Sequence, residues 1–427
     1  MQLARLSKYL AERQQVLVVY SAVAASIVIH TPAQFVKAWI LHLPALFDLP
    51  FLEGDHVSFA VNAIRGMIFL FSIALLFAVF FRPVAAFFSE QRSKLPFGRI
   101  FENSLAVFFV CGLLVVPVKL GLMGAGYGLM SEDPFNFHDA SGQIYQRLLM
   151  PAMAYFLQFR GPILFHAFSL LATLSLIFFT LLFLEVQIAR TTFLEKISIA
   201  GTSFIITQFQ SPGYTEQLAL LIALVVVIVP MGTVPKIAAV SLALFAHEVS
   251  IILFLAIAFL YFSREEKIWT GVVAAVYALC WLMSFGFDLG RIADVRTVGG
   301  IAGFAWLTEH PLRELSGIAV SYKLLWVVFF AALSYRSAET KRLLVFVLPG
   351  ILATLFGVDT SRLMAFSFFA ILFGLVYVKK YALISERNLQ LLFAINLCLP
   401  SVYIGLNSGM VYFDGLYQLL YRGYLFR

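Results

Sequence analysis

The chain has 427 residues, of which 61% are apolar and only 12% charged, with 45 phenylalanines and a formal net charge of +7. A soluble globular domain carries about 25% charged residues, so this composition excludes one. Nor does the positive charge mark a nucleic-acid partner, because the basic residues sit in short loops between apolar runs, where they set membrane orientation.

Apolar runs recur along the whole length, at the roughly 17–25 residues that a helix needs to cross a bilayer. Inside lipid each backbone amide must be satisfied within its own segment, so the runs read as α-helices. Their continuous apolar character, without alternation, excludes a β-barrel. The expected fold is all-α: a polytopic membrane protein with about 11–13 transmembrane helices, short loops and no large soluble domain. One transmembrane domain covers 1–427. Residues 14–130 supply the first helices and an outer acidic loop, 131–263 an interfacial segment and a hairpin region, and 264–427 the C-terminal helices. The three cysteines, Cys111, Cys280 and Cys398, match neither a zinc spacing nor a disulfide framework.

In chain order, Arg5, Lys8 and Arg13 precede a first helix at 15–30 and place the amino terminus in the cytoplasm. That run follows a basic amphipathic stretch and reads as a retained helix. A nearly uncharged stretch, 31–57, ends in Glu53-Gly54-Asp55-His56. The second helix, 58–81, returns to a loop with Arg82, Arg92, Lys94 and Arg99. A third helix, 104–120, leads out to Glu132, Asp133, His138 and Asp139. Residues 147–160 are apolar but short, and lie in the interface or re-enter. The fourth helix, 162–186, comes back to Arg190 and Lys196, and two shorter apolar stretches flank Ser211-Pro212-Gly213-Tyr214, a turn by composition.

The run 237–262 is bounded by Lys236 on one side and by Arg264 and Lys267 on the other, so both ends belong on the basic side. One span cannot satisfy that, whereas a hairpin of two short helices with its tip at Phe245-Ala246-His247-Glu248 can. The remaining helices are expected at 268–285, 318–334, 343–357, 363–378 and 389–404. Basic loops at 336–342 and 379–387 leave 288–314, 359–362 and the tail from 407 facing outward.

The outward face then collects the polar residues that have no topological duty. These are Glu53, Asp55 and His56; Lys119; His138, Asp139 and Arg147; His247 and Glu248; Arg291, Asp294 and Arg296; Asp359 and Arg362. Ionisable groups at membrane depth are costly and face a cavity or a partner, so each is a candidate site residue. Each also has a plainer reading. Glu53 and Asp55 read equally as a solvated loop and a helix-start acid, and His247-Glu248 as a structural pair. Asp359-Thr360-Ser361-Arg362 reads as a capped turn with an internal ion pair. Asp139 and Arg147 also read as anchors of an interfacial helix, and Arg291, Asp294 and Arg296 as solvated loop charges.

Glu53-Gly54-Asp55-His56, followed by Val57-Ser58-Phe59-Ala60-Val61-Asn62-Ala63, resembles the first outer loop of the GT-C superfamily of polytopic glycosyltransferases. The segment from Lys236 to Lys267, with His247-Glu248 at its tip, is similar to the short basic–apolar–polar pair–apolar–basic hairpin of that superfamily. The run from Asp139 through Tyr145, Arg147, Leu148 and Leu149 to Pro151, then Pro212-Gly213-Tyr214, also resembles a pattern of bacterial membrane proteins of this broad type. The likeness is one of layout over about two thirds of the chain, and the large C-terminal soluble domain of some members is absent.

The resemblance implies transfer of a sugar from a polyprenyl-phosphate-linked donor to an envelope glycan or lipid acceptor, on the outer face of a bacterial inner membrane. Such chemistry needs a carboxylate to activate the acceptor hydroxyl and cations to hold the leaving phosphate. Asp55 or Asp139 is then the expected base and Glu53 its orienter. Arg147, Arg362 or Lys119 would hold the phosphate, and His56, His247, Glu248, Arg291 and Asp359 would contact substrate. A divalent metal needs several converging oxygens, and the sequence assigns no ligand set. Two alternatives stay open: a lipid-linked oligosaccharide polymerase or ligase, and a transporter or flippase of a lipid-linked substrate. A structural envelope subunit is a third.

Overall fold

The computed structural model describes residues 2–31, 55–115, 122–134, 147–188, 190–285, 287, 307–355, 357, 359–405 and 409–412. Among the described residues the regular structure is helical apart from one two-stranded ribbon. Its helices are α1 (Gln2–His30), α2 (Asp55–Gln91), α3 (Phe97–Leu114), α4 (Leu122–Met130), α5 (Leu149–Phe156) and α6 (Gly161–Gln187). Then come α7 (Phe193–Ala200), α8 (Ser203–Gln210), α9 (Glu216–Ile228), α10 (Thr233–Ala246), α11 (Ser250–Tyr261) and α12 (Arg264–Ser284). The last group is α13 (Pro311–Tyr322), α14 (Leu325–Ser334), α15 (Ala338–Thr354), α16 (Thr360–Leu363), α17 (Phe368–Lys380) and α18 (Glu386–Cys398). A 3-10 turn, Met364–Ser367, joins α16 to α17. Strands β1 (Val402–Gly405) and β2 (Gly409–Tyr412) pair antiparallel, Val402 opposite Tyr412.

The contacts at the helix ends fix the directions. Lys236, in the first turn of α10, pairs with Glu266 of α12 at 2.9 Å and lies over the ring of Phe262, just past α11. The two ends of the α10–α11 unit therefore meet at one end of the bundle, and its tip, His247-Glu248-Val249, lies at the other. This is the hairpin expected from the charges. Gln15 of α1 bonds Glu265 at the same end. Gln217, at the start of α9, bonds Ser169 near the start of α6, so α9 and α6 run parallel and both finish at the Lys236 end. There Glu185 meets Arg99, Lys379 meets Glu195, and Lys380 meets Glu339. The basic loops thus share one end.

Four helices begin at that end with a side-chain cap. Thr192 and Ser263 each form a capping box with the glutamate three residues on, Glu195 and Glu266. Ser337 and Ser385 cap α15 and α18. Ser or Thr followed by Glu at the third position satisfies two orphan amides at once. Both capping glutamates also hold a lysine, Lys379 and Lys236 respectively, which joins helix starts to neighbouring elements.

Among the described residues five helices are long and apolar enough to cross a membrane: 13–30 within α1, 63–91 within α2, α6, α12, and the continuous stretch Thr360–Lys380. The pair α13–α14 makes a sixth if counted as one span, although it bends by 88°. Among the described residues the expected 11–13 transmembrane helices are therefore not reached on length alone. The central helices are the reason: α9, α10 and α11 have 13, 14 and 12 residues. At about 1.5 Å per residue these cover roughly 20 Å, less than the hydrocarbon thickness. α9 and α10 need not reach further, because protein surrounds them, whereas α11 is covered on one side only and turns Leu255, Phe259 and Tyr261 outward. Every residue of α10 from Ile237 to Ala246 is buried, whereas α1, α2 and α12 show large apolar side chains such as Tyr20, Phe71, Phe81 and Leu279 outward.

Three further expectations are corrected. The span predicted at 318–334 breaks at Lys323, whose φ is +51°. The free amide of Leu324 there bonds the side chain of Asn396 at 2.9 Å, and Lys323 Nζ bonds the carbonyl of Leu399. Of the two readings of 147–160, lying in the interface or re-entering, the interfacial one is overturned, because Leu149, Met150, Pro151, Ala152 and Ala154 of α5 lie inside the protein. The last helix, predicted to run to 404, stops at Cys398 and yields to the β ribbon.

Ser211-Pro212-Gly213-Tyr214 forms the expected turn before α9. Gly213 has φ +115°, and a Cβ there would lie 2.4 Å from Gly124 Cα. Both the conformation and the contact require glycine. Gly213→Ala is expected to destabilise the protein by about 3 kcal/mol, read as a lowered unfolding midpoint in detergent; an unchanged midpoint would show that α4 yields freely.

Candidate functional site

At the end of the bundle opposite the basic loops, buried ionisable side chains from five places in the chain meet. Arg147, just before α5, makes a two-pronged pair with Glu248 at the hairpin tip: Nη2 to Oε1 at 2.6 Å and Nε to Oε2 at 2.8 Å. Its Nη1 also reaches the hydroxyl of Tyr127 in α4 at 3.4 Å. Arg362, in the four-residue α16, donates to Glu216 at the start of α9 and to Asp359 Oδ2 at 2.7 Å. The ring of Tyr214 lies 4.1 Å from its guanidinium carbon, and Tyr403 of β1 donates its hydroxyl to Asp359.

His247 links the two arginine pairs. The backbone amide of Val249 donates to His247 Nδ1 at 3.2 Å. That leaves Nδ1 as the acceptor and puts the proton of the neutral ring on Nε2. Nε2 faces Glu216 Oε1 at 3.2 Å, within ion-pair range but without the alignment of a hydrogen bond. Glu248 Oε2 lies 3.6 Å from Nδ1. The order through space is Tyr127, Arg147, Glu248, His247, Glu216, Arg362, Asp359, Tyr403. Arg147, Arg362, Glu216 and His247 are all buried, and Asp359, with a side chain 24% exposed, is the open edge.

Burial raises the phenol of Tyr214 to about 12 and raises that of Tyr403 as well, so both act as neutral groups near pH 7. The second carboxylate beside α16, Glu314 of α13, is also buried and accepts from Thr360. Ser361 accepts from the amide of Ile404 at 3.0 Å, which ties the ribbon to α16.

Of the residues singled out from the sequence, Arg147, His247, Glu248, Asp359 and Arg362 come together here. Of the capped-turn reading of Asp359–Arg362 the internal ion pair is present, across three residues, but Asp359 at the N-cap of α16 makes no side-chain cap bond. Asp55 and His56 open α2, at the same end of the bundle: Arg65, further along α2, bonds the carbonyls of Val28 and Thr31 at the close of α1. Their side chains lie outside those described. Glu53, Lys119, Asp139 and Arg291 lie outside the described residues. Among the described residues, no three His, Cys, Asp or Glu side chains converge as metal ligands.

Sequence reasoning missed Glu216, Tyr127, Tyr214 and Tyr403 as members of the cluster. Glu216 carried a signal: it is the single acidic residue between Glu195 and Glu248, directly after the recognised Pro-Gly-Tyr turn. An acid in a helix's first turn also reads as a dipole complement, which concealed it. The tyrosines are three of 17 and carry no local mark.

No family model matches the chain, and no curated protein or solved structure matches it either.

Proposed function

We propose that this is a membrane glycosyltransferase of GT-C type, moving a sugar from a polyprenyl-phosphate-linked donor to a glycan or lipid acceptor. The observation that supports this reading is the buried row of alternating acids and arginines at the end of the bundle opposite the basic loops. Polar groups of that kind inside an apolar bundle are expensive and are kept for a ligand or a reaction. By the positive-inside rule the basic end faces the cytoplasm, so the cluster faces the outer side of the inner membrane.

In this reading Asp359, the open edge, works with Arg362, while Arg147 and Glu248 brace the hairpin tip. Both arginines are already held by carboxylates, so Arg362 takes the leaving phosphate only where Asp359 yields its place. Asp55 and Asp139 remain the candidate bases on the first two outer segments. The test uses proteoliposomes with a panel of polyprenyl-phosphate sugars, supplied from the face opposite the basic loops, and follows release of lipid phosphate. Wild type is expected to turn over. Asp359→Asn, and one of Asp55→Asn and Asp139→Asn, are expected to lose 10²-fold or more, the usual contribution of a general base or its partner.

A transporter or flippase of a lipid-linked substrate is the second reading. The 88° break between α13 and α14 favours it, because broken helices are common in transporters. Placement of the cluster at one end, away from the midplane, speaks against it. Movement of labelled lipid across the bilayer, with no release of phosphate from any donor, would replace the first reading with the second.

A further inference from the structure

Besides His247 Nε2, three buried side chains in and beside the cluster keep a polar atom with no hydrogen-bond partner among the described residues: Thr215 Oγ1, Glu216 Oε2 and Arg362 Nε. Each stands out against its surroundings. Thr215 occupies the N-cap of α9, where a threonine hydroxyl ordinarily accepts from a helix amide, as Thr192 does for α7. Here it makes no such bond. Glu216 places both Arg362 and His247 on Oε1 and leaves Oε2 bare. Arg362 fills Nη1 and Nη2 with carboxylates and leaves Nε bare. A buried donor or acceptor left unmade weakens the folded state, and a natural protein keeps few of them.

Together the three atoms ask for a particular chemistry. Oε2 needs a donor, Nε needs an acceptor, and Oγ1 takes either. A hydroxyl offers both roles, so a molecule with several hydroxyls answers all three. Charge points the same way. Among the described residues two arginines face three carboxylates, Glu216, Glu248 and Asp359, so an anion enters only where a carboxylate gives up its arginine, whereas a hydroxyl needs no such exchange. A cationic metal finds no set of three ligands among the described residues.

We propose that Thr215, Glu216 and Arg362 form a subsite for the hydroxyl groups of a saccharide. The choice of a saccharide among polyhydroxyl compounds rests on the glycosyltransferase reading; the demand for hydroxyls does not. Glu216 and Thr215 determine which sugar is held, and His247 is a positioning residue that keeps Glu216 Oε1 occupied so that Oε2 stays free.

The experiment measures binding of free monosaccharides, and of every monodeoxy analogue of the tightest one, to the full chain in nanodiscs. In wild type, removing the hydroxyl that donates to Glu216 should weaken binding about 10- to 100-fold, as expected for a hydrogen bond to a charged group. In Glu216→Gln the sugar and that analogue should bind alike, while discrimination at other positions persists. Thr215→Val keeps the shape and removes a bare hydroxyl, so its unfolding midpoint should stay level or rise while saccharide binding falls. A merely structural threonine would show the opposite, a lower midpoint with binding retained. The subsite is overturned if no saccharide binds, which leaves water as the partner, or if both variants discriminate as wild type does. Release of lipid phosphate separates the two claims. Turnover with unchanged discrimination in Glu216→Gln removes the subsite alone, and binding as expected without turnover from any donor removes the glycosyltransferase reading alone.

Discussion

Arg147→Met is expected to destabilise the protein by about 3–5 kcal/mol, the range for removing one partner of a buried ion pair. The side chains of Arg147 and Glu248 are 6% and 11% exposed, so neither is screened by water. Without Arg147, Glu248 loses both prongs of its pairing while remaining beside His247. The large effect thus comes from the charge left behind, more than from the attraction lost. Two arms make the origin visible. Glu248→Leu alone should cost a similar amount, by stranding Arg147. Arg147→Met with Glu248→Leu should recover most of the loss, because two apolar side chains of similar volume need no partner. Reversible unfolding in mixed micelles reads all three. Single variants within 1 kcal/mol of wild type, a surface-like value, would mean that the pair is hydrated in the membrane and does not brace the hairpin tip.

Glu216→Ala should be at least as damaging, about 5 kcal/mol, because this one carboxylate faces two groups. Arg362 would keep only Asp359, and His247 Nε2–H would face a cavity. Glu216→Gln retains the shape and one carbonyl oxygen toward Arg362, so it should cost about 2 kcal/mol, near the value of a hydrogen bond to a charged group. Asp359→Asn should cost least, since Asp359 is the most exposed member and Arg362 still holds Glu216. The ranking Ala above Gln at 216, with Asn at 359 lowest, is the informative result. It follows from Glu216 joining α9 to the hairpin tip and to α16 at one point. Equal effects at 216 and 359 would place Glu216 at the edge of the network instead of its centre.

The hairpin shows how far charges alone carry an argument. Lys236, Arg264 and Lys267 demanded that both ends of 237–262 share a side, and the structure closes that unit through Lys236 on Phe262 and Glu266. The capping boxes at Thr192 and Ser263 were likewise open to reading from local spacing. Helix lengths were not. A sequence of apolar residues looks the same whether it meets lipid or protein: the hairpin at 237–262 was legible as two short helices only through its flanking charges, and the lengths of 13, 14 and 12 residues for α9, α10 and α11 emerge only in the structure. The break at Lys323 was equally hidden, because its cause lies some seventy residues away in Asn396 and Leu399.

The sequence by itself determined a helical membrane protein with its basic loops gathered at one end, because the hydrophobic effect and the charge of short loops act through composition and local order. It also determined that Arg147, His247, Glu248, Asp359 and Arg362 belong to the opposite end. Only the tertiary structure decided who pairs with whom. Arg147 and Glu248 are 101 residues apart in the chain, and Glu216 and Arg362 are 146 apart. No local pattern encodes such a pairing: it arises where packed helices bring their ends together, and the low dielectric there makes every charge seek the nearest opposite one.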